Sequence, residues 1–260
     1  MAKKILFINQ EMLPFVPETT LATMSRSIPQ NVLEKGHEVR TFMPKWGNIN
    51  ERKGQLHEVQ RLSGMNLIIN DTDHPMIIKC ASIPSTRIQV FFIDNEDYFS
   101  KRQMCIENII EDGTDNGERA IFYARGVLET VKKQRWSPDI IHCQGWLSSL
   151  IPYFVKNTYN EEPSFANTKV VTSLFDELPQ FSINQDFKSN LCATEEFNQD
   201  IQNLEDMIKI AIDYSDGIIE ATENINKDIL EYAKGKGVPT LNFQDITTLD
   251  LYDSFYKSIE

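Results

Sequence analysis

Residues 137–146, Ser-Pro-Asp-Ile-Ile-His-Cys-Gln-Gly-Trp, constrain the fold more than any other stretch of this chain. A short apolar, β-branched run ends in His142, and Gly145 and a helical pattern follow at once. That is how a buried parallel strand reads when it carries an imidazole to its carboxyl end, beside the start of the next helix. In open α/β sheets, loops and helix N-termini converge on a crevice at those ends, and ligands bind there. The stretch locates a candidate site without saying what the site does.

The same alternation runs through the whole sequence. Strand-like runs occur at Lys4–Ile8, Glu38–Met43, Met76–Ala81, Arg87–Ile93, Asp139–Cys143, Lys169–Leu174, Gly217–Glu220 and Thr240–Phe243. Helical periodicity fills most gaps; Ala120, Ile121, Ala124, Val127, Leu128 and Val131 form one stripe, and Leu204, Met207, Ile208, Ala211 and Ile212 another. The pattern predicts an α/β, Rossmann-like domain whose mostly parallel sheet carries helices on both faces. Residues 65–93 differ, because strand runs there follow each other through turn-like linkers, which predicts a β-hairpin excursion. The polar stretch Phe181–Asn203 reads as a mobile loop or an irregular helical insertion. A closing helix is expected at Leu249–Ile259, packing Leu249, Tyr252, Phe255 and Tyr256, so that residues 1–260 form a single domain.

Charge narrows the ligand. With 26 basic and 38 acidic residues the net charge is −12, which argues against nucleic acid and anionic membranes and favours a neutral polymer or small substrate. The four cysteines, Cys80, Cys105, Cys143 and Cys192, are dispersed without a CxxC pair, as expected in a reducing compartment. The apolar run after Lys4 is too short for a signal sequence, and no run approaches the roughly 20 residues of a spanning helix. A cytoplasmic location is the expectation.

Several strand ends carry chemistry. A phosphate loop belongs at the turn after the first strand, but that turn reads Pro17-Glu18-Thr19-Thr20. Thr19 or Thr20 makes a good N-cap, whereas Pro17 lacks a donor and Glu18 repels phosphate. Asp115-Asn116-Gly117-Glu118-Arg119 precedes the best amphipathic helix, and two readings stand: a helix cap, or groups facing the crevice that bind hydroxyls. His142 likewise is either a core histidine bonded to its surroundings or a donor that orients a sugar hydroxyl. His37, His57 and His74 are scattered, so no metal site is expected. Trp46 lies in a loop sequence where an exposed indole would stack on a sugar ring, and Asp94–Phe99 reads as a solvated acidic turn.

At these residues the chain resembles the N-terminal half of bacterial glycogen and starch synthases, retaining glucosyltransferases of the GT-B fold. The resemblance rests on Lys4–Phe15, Leu33–Arg40 with Met43-Pro44, Phe92–Phe99, Asp115-Asn116 to Arg119, and Trp136–Trp146. Over its whole length the chain looks like the short, single-domain members of the group in Bacteroidetes-type bacteria. The resemblance implies half of a GT-B fold, an α-glucan acceptor with ADP-glucose as donor, and no cofactor. It makes His142 and Asp115 candidate catalytic residues, and Glu11, Asn116, Arg119 and Trp146 candidate substrate-binding residues.

The departures are specific. The family's Lys-Thr-Gly-Gly-Leu loop falls on Pro17-Glu18-Thr19-Thr20-Leu21, and its His-x-His-Asp-Trp motif on His142-Cys143-Gln144-Gly145-Trp146. The Ile-His-Asn after the next strand appears as Leu174-Phe175-Asp176, and no C-terminal nucleotide-binding domain follows in this sequence. The expectation is a weak or inactive glucosyltransferase that needs a homo-oligomeric or separate partner chain. Its rivals are a non-catalytic glucan-binding or regulatory module, and a scaffold with Phe175, Leu178 and Phe181 exposed as an apolar patch.

Overall fold

A computed structural model of the chain describes residues 2–102, 115–176, 178–183, 186–191 and 200–259. In chain order the elements are β1 (Lys4–Asn9), α1 (Thr20–Glu34), β2 (Glu38–Pro44), α2 (Glu51–Gly54), β3 (His57–Glu58), β4 (Met65–Ile69), β5 (Thr72–Ser82) and β6 (Gln89–Asp94). Then come α3 (Asn116–Lys133), β7 (Ile140–Gln144), α4 (Ile151–Lys156), β8 (Lys169–Leu174), α5 (Phe187–Asn190) and α6 (Leu204–Asp213). The last are β9 (Gly217–Glu220), α7 (Lys227–Lys236), β10 (Thr240–Leu241) and α8 (Asp250–Ser258).

The strands form one sheet in the order β10-β9-β8-β7-β1-β2-β6-β5-β3, with β4 paired to β5. From β10 to β6 every pairing is parallel, while β5 runs antiparallel to β3, β4 and β6. The α/β reading and the hairpin excursion therefore hold. The central strands are apolar at nearly every position because both faces are covered. In β1, Ile5 and Phe7 turn to a core closed by α1 and α8, and Leu6 and Ile8 to the opposite core with α3. Such two-sided burial is what makes a parallel strand read as a continuous hydrophobic run.

Local chemistry sets the helix ends. Thr19 caps α1, its Oγ1 accepting from the Ala22 N–H at 2.9 Å. The hairpin lies against α3 at Gly126, where an added Cβ would come within 2.7 Å of Met76 Sδ. Tyr252, Phe255 and Tyr256 of α8 are buried, and Lys35 with Asp250 and His37 with Asp253 tie this helix to α1 and the turn after it. Within Phe181–Asn203, Ser182 bridges Asn203 and α5 forms a short helix, so the described part is docked. Residues 184–185 and 192–199 lie outside the described residues, as do Cys105 and Cys192; Cys80 and Cys143 are free and buried. Among the described residues no helix is long and apolar enough to cross a membrane.

The α8 contact is tight. A Cβ on Gly217 would meet the Phe255 ring at 3.0 and 3.1 Å and Ile259 at 3.3 Å. Gly217→Ala should cost about 1–3 kcal/mol of stability by overpacking. Urea denaturation measures it, and Phe255→Leu in the same chain should recover part of the loss.

Candidate functional site

From the adjacent strands β1 and β7 the sheet grows outward in opposite directions, to β2 and β6 on one side and β8 to β10 on the other. Their carboxyl ends are thus the topological switch point, where open α/β sheets bind ligands. Asn9 pairs in register with Gln144, and the Asn9 Oδ1 accepts from Gln144 Nε2 at 3.0 Å. Asn9 also donates from Nδ2 to the Phe42 carbonyl at 3.4 Å, and its own carbonyl accepts from the Tyr123 hydroxyl at 2.7 Å. One residue on, the Gln10 N–H donates to the Gln144 carbonyl at 3.0 Å. The Gln10 carbonyl accepts from Trp46 Nε1 at 2.8 Å. Glu11 follows at the same strand end and is buried. Beside Gln144, Gly145 sits at φ +89°, and Trp146 is buried edge-on against Phe181. The site floor is therefore built of carboxamides and indoles.

His142 lies apart. It is wholly buried on the α1/α8 face, among Phe7, Tyr252 and Tyr256. Its Nδ1 is 2.8 Å from the Tyr256 hydroxyl and its Nε2 is 2.7 Å from Ser173 Oγ. Burial pushes the imidazole down to about 3, so the ring is neutral in the folded protein. Both ring nitrogens already hold protein partners, which is the core-histidine arrangement.

The start of α3 forms a third neighbourhood. Asp115 occupies the N-cap position but makes no capping bond. It instead takes the Arg102 guanidinium through both oxygens, at 3.1 and 2.6 Å. The bidentate ion pair engages both carboxylate oxygens in place of the backbone N–H groups of the first turn. Asn116 Oδ1 accepts from Arg119 Nη1 at 2.8 Å, and Arg119 Nε donates to the Tyr98 carbonyl at 3.0 Å. The buried Arg119 guanidinium lies 5.3 Å from the Trp46 ring centroid. Trp46 is thus buried and joins this neighbourhood to the switch point, rather than offering an exposed stacking face.

The expected residues do not open into one hollow. Glu11 and Trp146 stand at the switch point and Asp115, Asn116 and Arg119 one layer away behind Trp46, while His142 belongs to the opposite core. The switch-point carboxamides Asn9, Gln10 and Gln144 went unnoticed in the sequence. Their signal was present: two amide side chains end neighbouring strands, and no apolar strand end calls for them. Asp94 is no solvated turn residue either. It is buried against Lys79 and Ser100, ahead of a π-helical turn at Glu96–Ser100. The exposed apolar patch expected of a scaffold does not form at these residues: Phe175 is buried, and Leu178 and Phe181 are half-buried and pack on the core.

Cations near this edge are already engaged. Lys45 and Lys79 both hold Glu51, at 3.1 and 2.6 Å, and Lys79 also holds Asp94 at 2.9 Å. Arg102 is on Asp115 and Arg119 is turned into the core. Among the described residues no three His, Cys, Asp or Glu side chains gather to hold a metal ion.

Comparison with known proteins identifies the family of the chain. The family model described as the starch synthase catalytic domain matches residues 4–241. Glycogen synthase of Chlorobium luteolum is 38% identical over 172 residues, covering 66% of this chain and 35% of that protein. Glycogen synthase of Chlorobaculum tepidum is 40% identical over 173 residues, with the same coverage of 66% and 35%. The chain therefore spans about a third of the length of the curated relatives it matches. The catalytic domain of starch synthase IV from Arabidopsis thaliana, bound to ADP and acarbose, superposes with a TM-score of 0.74 at 15% identity. It covers 93% of this chain and 51% of that one, and shares its fold.

The buried imidazole gives a signature in pH. Unfolded His142 titrates near 6.5, so below that pH the unfolded chain binds a proton that the folded one refuses. Stability at this site is lost progressively as pH falls from about 6.5 toward about 3. His142→Gln should flatten the fall in stability between about pH 6 and pH 4 by up to about 1.4 kcal/mol per pH unit. Urea denaturation of both proteins across that range measures it.

Proposed function

The chain belongs to the starch synthase catalytic domain family, and we propose that it acts as a glycogen/starch synthase-like module that binds an α-glucan at the switch-point edge. The reaction it takes part in is glucosyl transfer from ADP-glucose to that glucan. The carboxamide floor supports the acceptor half of this reading. Asn9, Gln10 and Gln144 lie buried beneath that edge and make it polar and neutral, with no cation among them to hold a diphosphate.

One observation supports a weak catalyst when the chain is alone: Lys45, Lys79, Arg102 and Arg119 are engaged with protein groups. Retaining transfer depends on stabilising the negative charge that develops on the departing diphosphate. Lys45, Lys79, Arg102 and Arg119 are held by Glu51, Asp94, Asp115, Asn116 and the Tyr98 carbonyl. The turn where a phosphate loop belongs carries the exposed Pro17 and Glu18. The chain therefore holds and orients the glucan. Turnover requires a second polypeptide, or a second copy of this chain, to bring cations to the crevice. The same observation favours, as the second reading, a glucan-binding module without catalysis of its own.

The purified chain, given ADP-glucose and glycogen, should release ADP at least about 10²-fold more slowly than a relative such as the Chlorobaculum tepidum glycogen synthase assayed alongside. Calorimetry run separately with maltooligosaccharides and with ADP-glucose should give heat with the first only. Robust turnover by the monomer would overturn the weak-catalyst reading, and silence with every glucan would overturn the binding role.

A further inference from the structure

We propose that the groove beyond the carboxyl end of β8, one strand outward from the switch point, is a binding subsite for a neutral oligosaccharide. The groove has a volume of about 500 Å³ and runs between residues 178–182 and the first turns of α6 and α7. That size suits a small ligand. Gln180, Phe181, Ser182, Asn203, Glu205 and Asn226 line it, together with Leu178 and Ile229. Leu178 and Ile229 also border a recess of about 20 Å³ that reaches inward to Trp146. Groove and recess are therefore continuous.

Two independent observations point to the ligand. Trp146 is 3% exposed, and its Nε1–H has no hydrogen-bond partner among the described residues. A buried donor of this kind carries a desolvation cost until an acceptor reaches it. The recess beside it has room for about one oxygen atom, since a water needs only about 10–15 Å³. The indole also meets Phe181 of the groove edge-on, with 4.9 Å between ring centroids. A hydroxyl or hydroxymethyl group entering from the groove supplies the acceptor. The second observation is charge. Among the described residues no Lys, Arg or His lines groove or recess, and the charged residues there are Asp176 and Glu205. A diphosphate meets two carboxylates and no cation. Asn203 and Asn226 cap α6 and α7 through Oδ1, accepting from the Asp206 and Asp228 N–H groups at 3.1 and 2.8 Å. With each Oδ1 committed to a cap, the amide NH2 is what each offers a ligand oxygen. Leu178, Phe181 and Ile229 supply apolar contact for the C–H face of a sugar ring. The sugar class deepens the glucan reading above and rests on it; the groove's geometry stands without it.

Proton–nitrogen NMR of the isotope-labelled chain tests this with maltotriose as the probe, Trp146→Phe assigning the indole signal by its loss. Maltotriose should shift the Trp146 signal saturably and leave the Trp136 indole, bonded to Glu38 at 2.6 Å, unmoved. Asn203→Asp combined with Asn226→Asp keeps both helix caps, because Asp caps as well as Asn, but removes both amide donors. This double variant should bind maltotriose at least about tenfold more weakly. Maltotriose binding without the Trp146 shift, or with equal affinity in the double variant, overturns the groove as the subsite and leaves the glucan reading standing at the switch point. A Trp146 shift with xylotriose, but no binding of maltotriose or glycogen, supports the groove and overturns the glucan reading. No shift with either trisaccharide overturns the subsite, and a shift with inorganic pyrophosphate overturns its assignment to a neutral ligand.

Discussion

Because β1 and β7 pair in parallel with Asn9 opposite Gln144, two carboxamides are brought together at a depth where neither is left exposed to water. Each must find partners inside the protein, and they find each other and the Phe42 carbonyl. That pairing ties together the carboxyl ends of three adjacent strands, β7, β1 and β2, and leaves the buried Gln144 Oε1 without a partner. Gln10, Glu11 and Trp46 then inherit their positions from it. The site is a by-product of how this sheet meets most of its own hydrogen-bonding needs at the switch point, with Gln10 Oε1, Gln144 Oε1 and Trp146 Nε1 left over.

The fold was legible because parallel strands buried on both faces leave an unmistakable apolar run. Ile5 to Ile8 and Ile140 to His142 need no partner information to be recognised. The hairpin at β4 and β5 was equally open to reading, since strand patterns joined by short turns leave no space for a crossover helix. The site was legible only in part. Sequence placed His142 at a strand's carboxyl end, but not the face on which it points. Period-two alternation puts His142 on the side of Ile140, and what covers that side is α8, more than a hundred residues later. No local pattern announces so distant a cover.

Trp46 and Asp115 show a second limit. A tryptophan flanked by Pro44 and Gly47 reads as a surface loop residue, yet its indole is buried because Arg119 and the Gln10 carbonyl both need it. Asp115 reads as a cap because it precedes a helix, yet Arg102, thirteen residues earlier, claims both its oxygens. In each instance a longer-range charged or aromatic partner displaced the local preference. Local rules describe what a residue does in the absence of a better offer.

The cover over His142 has a bearing on how this protein is handled. The stretch shared with the starch synthase family ends at residue 241, and α8 begins nine residues later. Phe7, Val171, Ile219 and the His142 ring form the greasy floor on which that helix rests. A shortened version cut at the family boundary would bare this floor to solvent. It would present a contiguous oily strip along four strands, the kind of surface through which protein chains stick to one another.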